Sequence, residues 1–141
     1  MNGRRVEIAI VGGGLAGGLI ALALHRRHPD MAIALIERER ALGGNHRWSW
    51  FASDLDPDGT ALMAGFRKTE WQGYEVRFPA YRRRLRAAYC SLTSLDFDAA
   101  LRRELPEGTI VSGAEVTEVT ASSVTLASGE PISARTVIDC R

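Results

Sequence analysis

Three glycines at Gly12, Gly14 and Gly17, with the carboxylate Glu37 twenty residues beyond the last, are the residues of this sequence best suited to hold a charged ligand. The first glycine of such a set lets a strand turn sharply into a helix. The second lets the backbone approach a phosphate, and the third lets the helix pack closely on the strand. Amides at the start of that helix then present N–H donors and the positive end of its dipole to an anion. Glu37, at the end of the next apolar run, can accept hydrogen bonds from a ribose diol, and its charge opposes a 2′-phosphate there. With these features in one register, Gly12, Gly13, Gly14, Leu15, Ala16, Gly17 and Glu37 read as a dinucleotide site rather than a tight turn beside a surface glutamate. Arg38 joins the set over an adenine edge, or else it is solvated.

Such a site needs a strand, a helix and a second strand. Val6 to Val11 is a short apolar run ending at the glycines, as a buried parallel strand does. Leu15 to His28 is rich in Ala and Leu and stops at Pro29 and Asp30, as a helix does. Ala32 to Ile36 is a second buried run. Residues 5–37 therefore form a βαβ unit.

Residues 38–106 do not continue the alternation. Gly43-Gly44, Pro57 and Gly59 break the first part, and all ten aromatic residues lie between Trp48 and Phe97. Tyr81, Leu85, Ala88 and Tyr89 fall at helical spacing, which predicts a helix with Arg82, Arg83 and Arg86 on another face. Phe97 to Leu105 predicts a short helix stopped by Pro106. Over 109–141 the period becomes strand-like, through TIV, AEVTEVT, SVTLAS and ARTVIDC. Ser128-Gly129 is the predicted hairpin turn. The expectation is three short antiparallel strands, then a buried last strand from Thr136 to Asp139.

Composition bounds the function. The 141 residues carry a net charge of +1 and 45% are apolar, as in an ordinary globular domain. Near-neutrality argues against nucleic acid as a partner. No apolar run is long enough to span a bilayer, and the glycine cluster in the first one is unlike a secretory signal. Cys90 and Cys140 make neither a disulfide framework nor a metal spacing, which points to reduced thiols in a cytoplasmic protein.

The absence of alternation after Glu37 departs from an NAD domain of the common type, and a resemblance, not the spacing alone, names FAD. Glu37 through Gly43-Gly44, followed much later by an antiparallel meander, resembles the Rossmann-like α/β FAD domain of the glutathione-reductase-like type. A narrower resemblance rests on GGGLAGGLIALAL at 12–24, LGGNHRWSW at 42–50, WQGYEVRFP at 71–79, the stretch from Tyr81 to Ser91 and VIDCR at 137–141. Together these are similar to the N-terminal third of bacterial-type lycopene β-cyclases. Because VIDCR ends at Arg141 where the family pattern continues, the expectation is an N-terminal, truncated portion, with the rest of the FAD domain and a substrate domain absent.

The resemblance implies an isomerase that closes β-ionone rings at the ends of lycopene, giving γ-carotene and β-carotene. It implies reduced FAD, supplied through NADPH, without net redox change. In that chemistry an acid protonates a terminal double bond, a neighbouring double bond attacks the cation, and a proton leaves. The family's acidic Phe-Leu-Glu-Glu-Thr segment does not occur here, so no catalytic residue is assigned and the portion alone is expected to be inactive. The resemblance also places Gly44, Asn45 and His46 near the cofactor. Val116, with Val119 as the other choice, and Asp139 are further candidate contacts. Trp48, Trp50, Phe51, Trp71, Tyr74 and Phe78 read as packing between domains, or alternatively as a polyene channel. The arginine-rich helix reads as a solvated face, or alternatively as a surface for anionic lipid. Lycopene resides in bilayers, so peripheral contact with the cytoplasmic membrane is expected of the intact enzyme. The rival readings are a redox flavoenzyme of the same fold, such as a monooxygenase or desaturase, and a non-catalytic FAD- or NAD-binding module.

Overall fold

A computed structural model describes residues 3–141. Strand β1 (Arg4–Val11), helix α1 (Leu15–Arg27) and strand β2 (Ile33–Glu37) form the expected βαβ unit, with β1 and β2 parallel and Val11 opposite Ile36. The next segment holds β3 (Arg47–Phe51), a 3-10 turn (Ala52–Asp54), α2 (Pro57–Met63), β4 (Thr69–Trp71), β5 (Tyr74–Phe78), β6 (Tyr81–Leu85), β7 (Tyr89–Thr93) and α3 (Ser94–Glu104). Four strands complete the chain: β8 (Ile110–Ser112), β9 (Val116–Val119), β10 (Ser123–Leu126) and β11 (Pro131–Asp139).

The principal sheet has six strands in the order β8-β2-β1-β11-β10-β9. Its first four strands run parallel, and β10 and β9 fold back antiparallel. One face carries a core built from Ile10, Leu22, Leu35, Phe97 and Leu101, where α1 and α3 pack. On the other face, Val11, Ile36, Val124, Leu126 and Ile132 form a second apolar cluster. Both faces of β1 and β2 are therefore covered, which explains their continuous apolar runs.

Two expectations are corrected. The TIV run is not a meander strand: β8 lies parallel beside β2, with Ile110 opposite Leu35. A short run with adjacent Ile110 and Val111 suits that position better than an alternating antiparallel one. The meander's return strand and the buried last strand are also one element. β11 pairs antiparallel with β10 through Pro131 to Ser133, and parallel with β1 from Ile132 to Asp139. The turn at Ser128-Gly129 is as expected, with Gly129 at φ +84°.

The predicted arginine-rich helix is also corrected. Tyr81 to Leu85 is β6, paired with β5 so that Phe78 faces Tyr81 and Tyr74 faces Leu85, and Tyr89 opens β7 at the centre of the three-stranded sheet β3-β7-β4. Nine residues at 3.6 spacing also fit two short strands separated by a loop, and the pairing available from residues 74–78 decides between them. Arg77 on the same strand and Arg82 from across the ribbon both bind Glu75, holding its carboxyl below the usual carboxylate range.

The aromatic residues divide. Phe97 is wholly buried, edge-on to Trp48 at 5.1 Å and stacked on Phe66 at 5.5 Å. Phe51, Tyr74, Tyr89 and Trp71 form a separate string at 5.1–5.9 Å. Phe78 and Tyr81 are 64% and 53% exposed, so they fill no core within this chain.

Candidate dinucleotide site

The site forms where β1 hands over to α1. Gly12 takes φ +102°, a conformation open to glycine but strained for other residues, and so turns the chain sharply. A Cβ on Gly17 would run into the Gly12 carbonyl, so α1 can begin this close to β1 only with glycine there. Gly14 is the N-cap and brings no side-chain cap, and the first turn of α1 carries no acidic residue. The opening amides of α1 therefore keep their donors and dipole uncompensated by side chains. A Cβ on Gly14 would meet nothing within 4 Å. The backbone there faces open space.

Glu37 ends β2 beside this turn. Its Oε2 accepts the Gly13 N–H at 2.7 Å and its Oε1 accepts the Glu39 N–H at 2.9 Å. These two bonds fix the carboxylate and leave about half of its roughly four lone-pair sites free for hydroxyl donors. Gly43 and Gly44, at φ +81° and +60°, bend the following loop back, and the Gly43 N–H donates to the Gly13 carbonyl at 2.8 Å. The loop thus becomes the second wall of a cavity of about 480 Å3.

Among the residues singled out from the sequence, Gly12, Gly14, Glu37, Arg38, Gly44, His46 and Val116 line this cavity. Gly13 sits behind it, its amide engaged by Glu37, and Leu15, Ala16 and Gly17 form the first helical turn. Asn45 is exposed and, like Val119, does not line the cavity. Asp139 does not line it either: Arg141 binds the carboxylate at 2.8 and 3.0 Å and pulls its pKa down to about 2. The residues at the cavity from that strand end are Cys140 and Arg141. Val11, Ile36, Glu39, Gly43, Ala114 and Glu115 complete it. The rule that ligands sit beyond strand carboxyl ends points to Cys140 and Arg141. Nothing local marks Ala114 and Glu115, which arrive through the Ala114 N–H bond to the Glu37 carbonyl at 2.9 Å.

Both cysteines are free. Burial pushes the Cys90 thiol up, with the Glu70 charge adding to it, and burial followed by the Asp139 charge does the same for Cys140. Because the thiolate is the reactive form, modification of Cys140 is expected to keep accelerating with pH past the ordinary thiol value of about 8.5. Cys90, 5% exposed inside the β3-β7-β4 sheet, is expected to react far more slowly. Mass-resolved alkylation across pH 7–10 checks both statements; levelling of Cys140 below pH 9 contradicts the first.

A glycine turn opening an uncapped helix, an acid ending the second strand and a meander closing the far side define the architecture of the dinucleotide-binding α/β class. Solved structures agree on the fold. A variant of 2-methyl-3-hydroxypyridine-5-carboxylic acid oxygenase superposes with a TM-score of 0.67 at 19% identity, over 96% of this chain and 39% of that one. The Diels-Alderase PyrE3 of pyrroindomycin biosynthesis gives 0.60 at 17% identity, over 95% of this chain and 32% of that one. Within that class the chain belongs to the lycopene cyclase family, whose pattern ("Lycopene cyclase protein") it matches over residues 7–141. It is 46% identical to lycopene beta-cyclase of Pseudescherichia vulneris and 42% identical to that of Pantoea ananas, each over 135 residues. In both comparisons 96% of this chain is matched, and the chain spans 35% of the relative's length.

Proposed function

We propose that this chain is the FAD-binding portion of a lycopene β-cyclase, of the glutathione-reductase-like domain type. One observation carries the reading: in a member of the lycopene cyclase family, the uncapped start of α1 faces open space at Gly14, with the Glu37 carboxylate anchored alongside. The donor set fits the cofactor. Amides of Leu15 and Ala16 supply N–H groups to a diphosphate, and Gly14 contributes no side chain to obstruct it. Glu37 takes the hydroxyls of the adenosine ribose, and its charge rejects a phosphate at the 2′ position. Arg38, Gly44, His46 and the Val116 backbone form the remaining contacts.

Bound in its reduced form, with NADPH as the source of electrons, the flavin supplies an electron-rich face that stabilises positive charge developing on the polyene. The chain's own residues bind and orient it, and none of them is assigned as the acid. The substrate is lycopene and the products are γ-carotene and β-carotene. No helix among the described residues is long and apolar enough to cross a membrane. Because lycopene is borne in bilayers, the proposal includes peripheral contact of the intact enzyme with the cytoplasmic membrane.

Expression of the complete reading frame that encodes this chain in a lycopene-accumulating host tests the activity. The expected outcome is conversion to cyclic carotenoids of unchanged mass. Oxygenated or further desaturated products would instead establish the redox reading. Occupancy is tested separately by thiol modification. FAD is expected to slow labelling of Cys140, which lines the cavity, and to leave Cys90 unaffected. Equal labelling of Cys140 with and without FAD would remove the nucleotide from this site.

A further inference from the structure

The loop carrying Gly43 and Gly44 is held from outside the nucleotide motif. Asp98, on α3, accepts the Leu42 N–H through Oδ1 at 2.8 Å. Arg102, one helical turn on, meets both Asp98 oxygens through Nε at 3.0 Å and donates from its terminal nitrogen to the Arg40 carbonyl at 2.7 Å. Leu42 is 1% exposed and packs against the face where a Gly13 Cβ would stand, and the next amide, Gly43, donates to the Gly13 carbonyl. The i, i+4 pair on α3 thus fastens two successive points of the loop, and the loop fastens to the glycine turn.

We infer that Asp98 and Arg102 are positioning residues for nucleotide binding, a clamp that sets the second wall of the cavity against the opening turn of α1. The inference rests on the proposed FAD reading of that cavity. Neither side chain lines the cavity, so their effect passes through the loop. A carboxylate can accept the Leu42 amide and a guanidinium together, and a guanidinium can reach a carboxylate and a carbonyl together. Lysine carries its donors on a single nitrogen and cannot reproduce the guanidinium's two-nitrogen reach. The apolar contacts that hold α3 to the sheet, through Phe97 and Leu101, lie on another face of that helix. Losing the clamp should therefore loosen the loop before it loosens the fold.

The test compares the full chain with Asp98→Ala, Arg102→Lys and Asp98→Asn. Two readouts are used: FAD affinity by flavin fluorescence, and the rate of tryptic cleavage after Arg38 and Arg40. Asp98→Ala and Arg102→Lys are expected to weaken FAD about tenfold and to speed cleavage at these two arginines, with cleavage after Arg135 unchanged. Asp98→Asn keeps an acceptor for the Leu42 amide and is expected to recover part of the affinity. Unchanged cleavage at Arg38 and Arg40 overturns the clamp. Faster cleavage with undiminished FAD affinity overturns its positioning role. Faster cleavage at every arginine marks general unfolding and also overturns it. If the unaltered chain retains no FAD, the cofactor reading falls and takes this inference with it. Tight FAD in all four proteins refutes the inference alone.

Discussion

Gly14→Val is expected to yield a folded protein that no longer retains FAD. Gly14 stands at φ −74° and ψ −169°, extended backbone that a β-branched residue adopts without strain. Its Cβ would meet nothing within 4 Å, so the fold has no reason to resist the change. On the proposed FAD reading, the space it enters is the space the diphosphate needs. Valine's two methyl groups would hold the phosphates away from the first-turn amides, lengthening every charge-assisted bond there at once. A rise in dissociation constant of about 100-fold or more, roughly 2.7 kcal/mol, is expected. Thermal unfolding of the apo-protein should change little. Flavin titration together with apo-protein melting checks both halves. Near-normal flavin retention would remove the glycine turn from the site.

Gly17→Val, three residues on in the same motif, is expected to fail in the opposite way. Its Cβ would collide with the Gly12 carbonyl and crowd Ile10 Cγ2 at 3.3 Å. Neither obstacle is the free end of a flexible side chain. Gly12 is pinned by its own N–H bond to the Ile36 carbonyl at 2.8 Å, and Ile10 lies in the core. Relief requires α1 to lift from β1, which opens the apolar interface around Ala21 and Leu22. Overpacking with backbone displacement of this kind costs about 3 kcal/mol or more. A fall in melting temperature of about 10 °C in the apo-protein follows. Wild-type melting with impaired flavin binding would mean that the two glycines share one role, contrary to the structure.

These two glycines also show what could be read from the chain alone. The β1-α1-β2 unit was legible because each signal is local: an apolar run, a glycine turn, a helix stopped by Pro29, and an acid at the next strand end. Glu37 could be placed from its spacing because the unit has a nearly constant size. Residues 81–89 misled because a nine-residue span supports two periodicities, and only the partner strand at residues 74–78 separates them. The run at residues 109–111 was assigned to the wrong neighbours because a three-residue strand says little about its pairing. The hold of Asp98 on Leu42 spans 56 positions and depends on how α3 crosses the sheet. No spacing rule reaches that far. At the end of the last strand the sequence points to Asp139, but its carboxylate is taken up by its own neighbour two residues on, and Cys140 and Arg141 reach the cavity instead.

The dual pairing of β11 ties two parts of the site together mechanically. Near Pro131 its start is locked to β10, and at its far end the Cys140 N–H reaches the Val11 carbonyl at 2.8 Å, immediately before Gly12. One nine-residue strand therefore works as a ruler, setting the distance from the hairpin to the cradle floor. The exposed hairpin turn before it, at Ser128-Gly129, can lengthen freely, because slack there stays in solvent. A single residue gained or lost inside the ruler would be felt at both ends, inverting the apolar faces of one pairing and sliding the cradle's edge out of line with its amides.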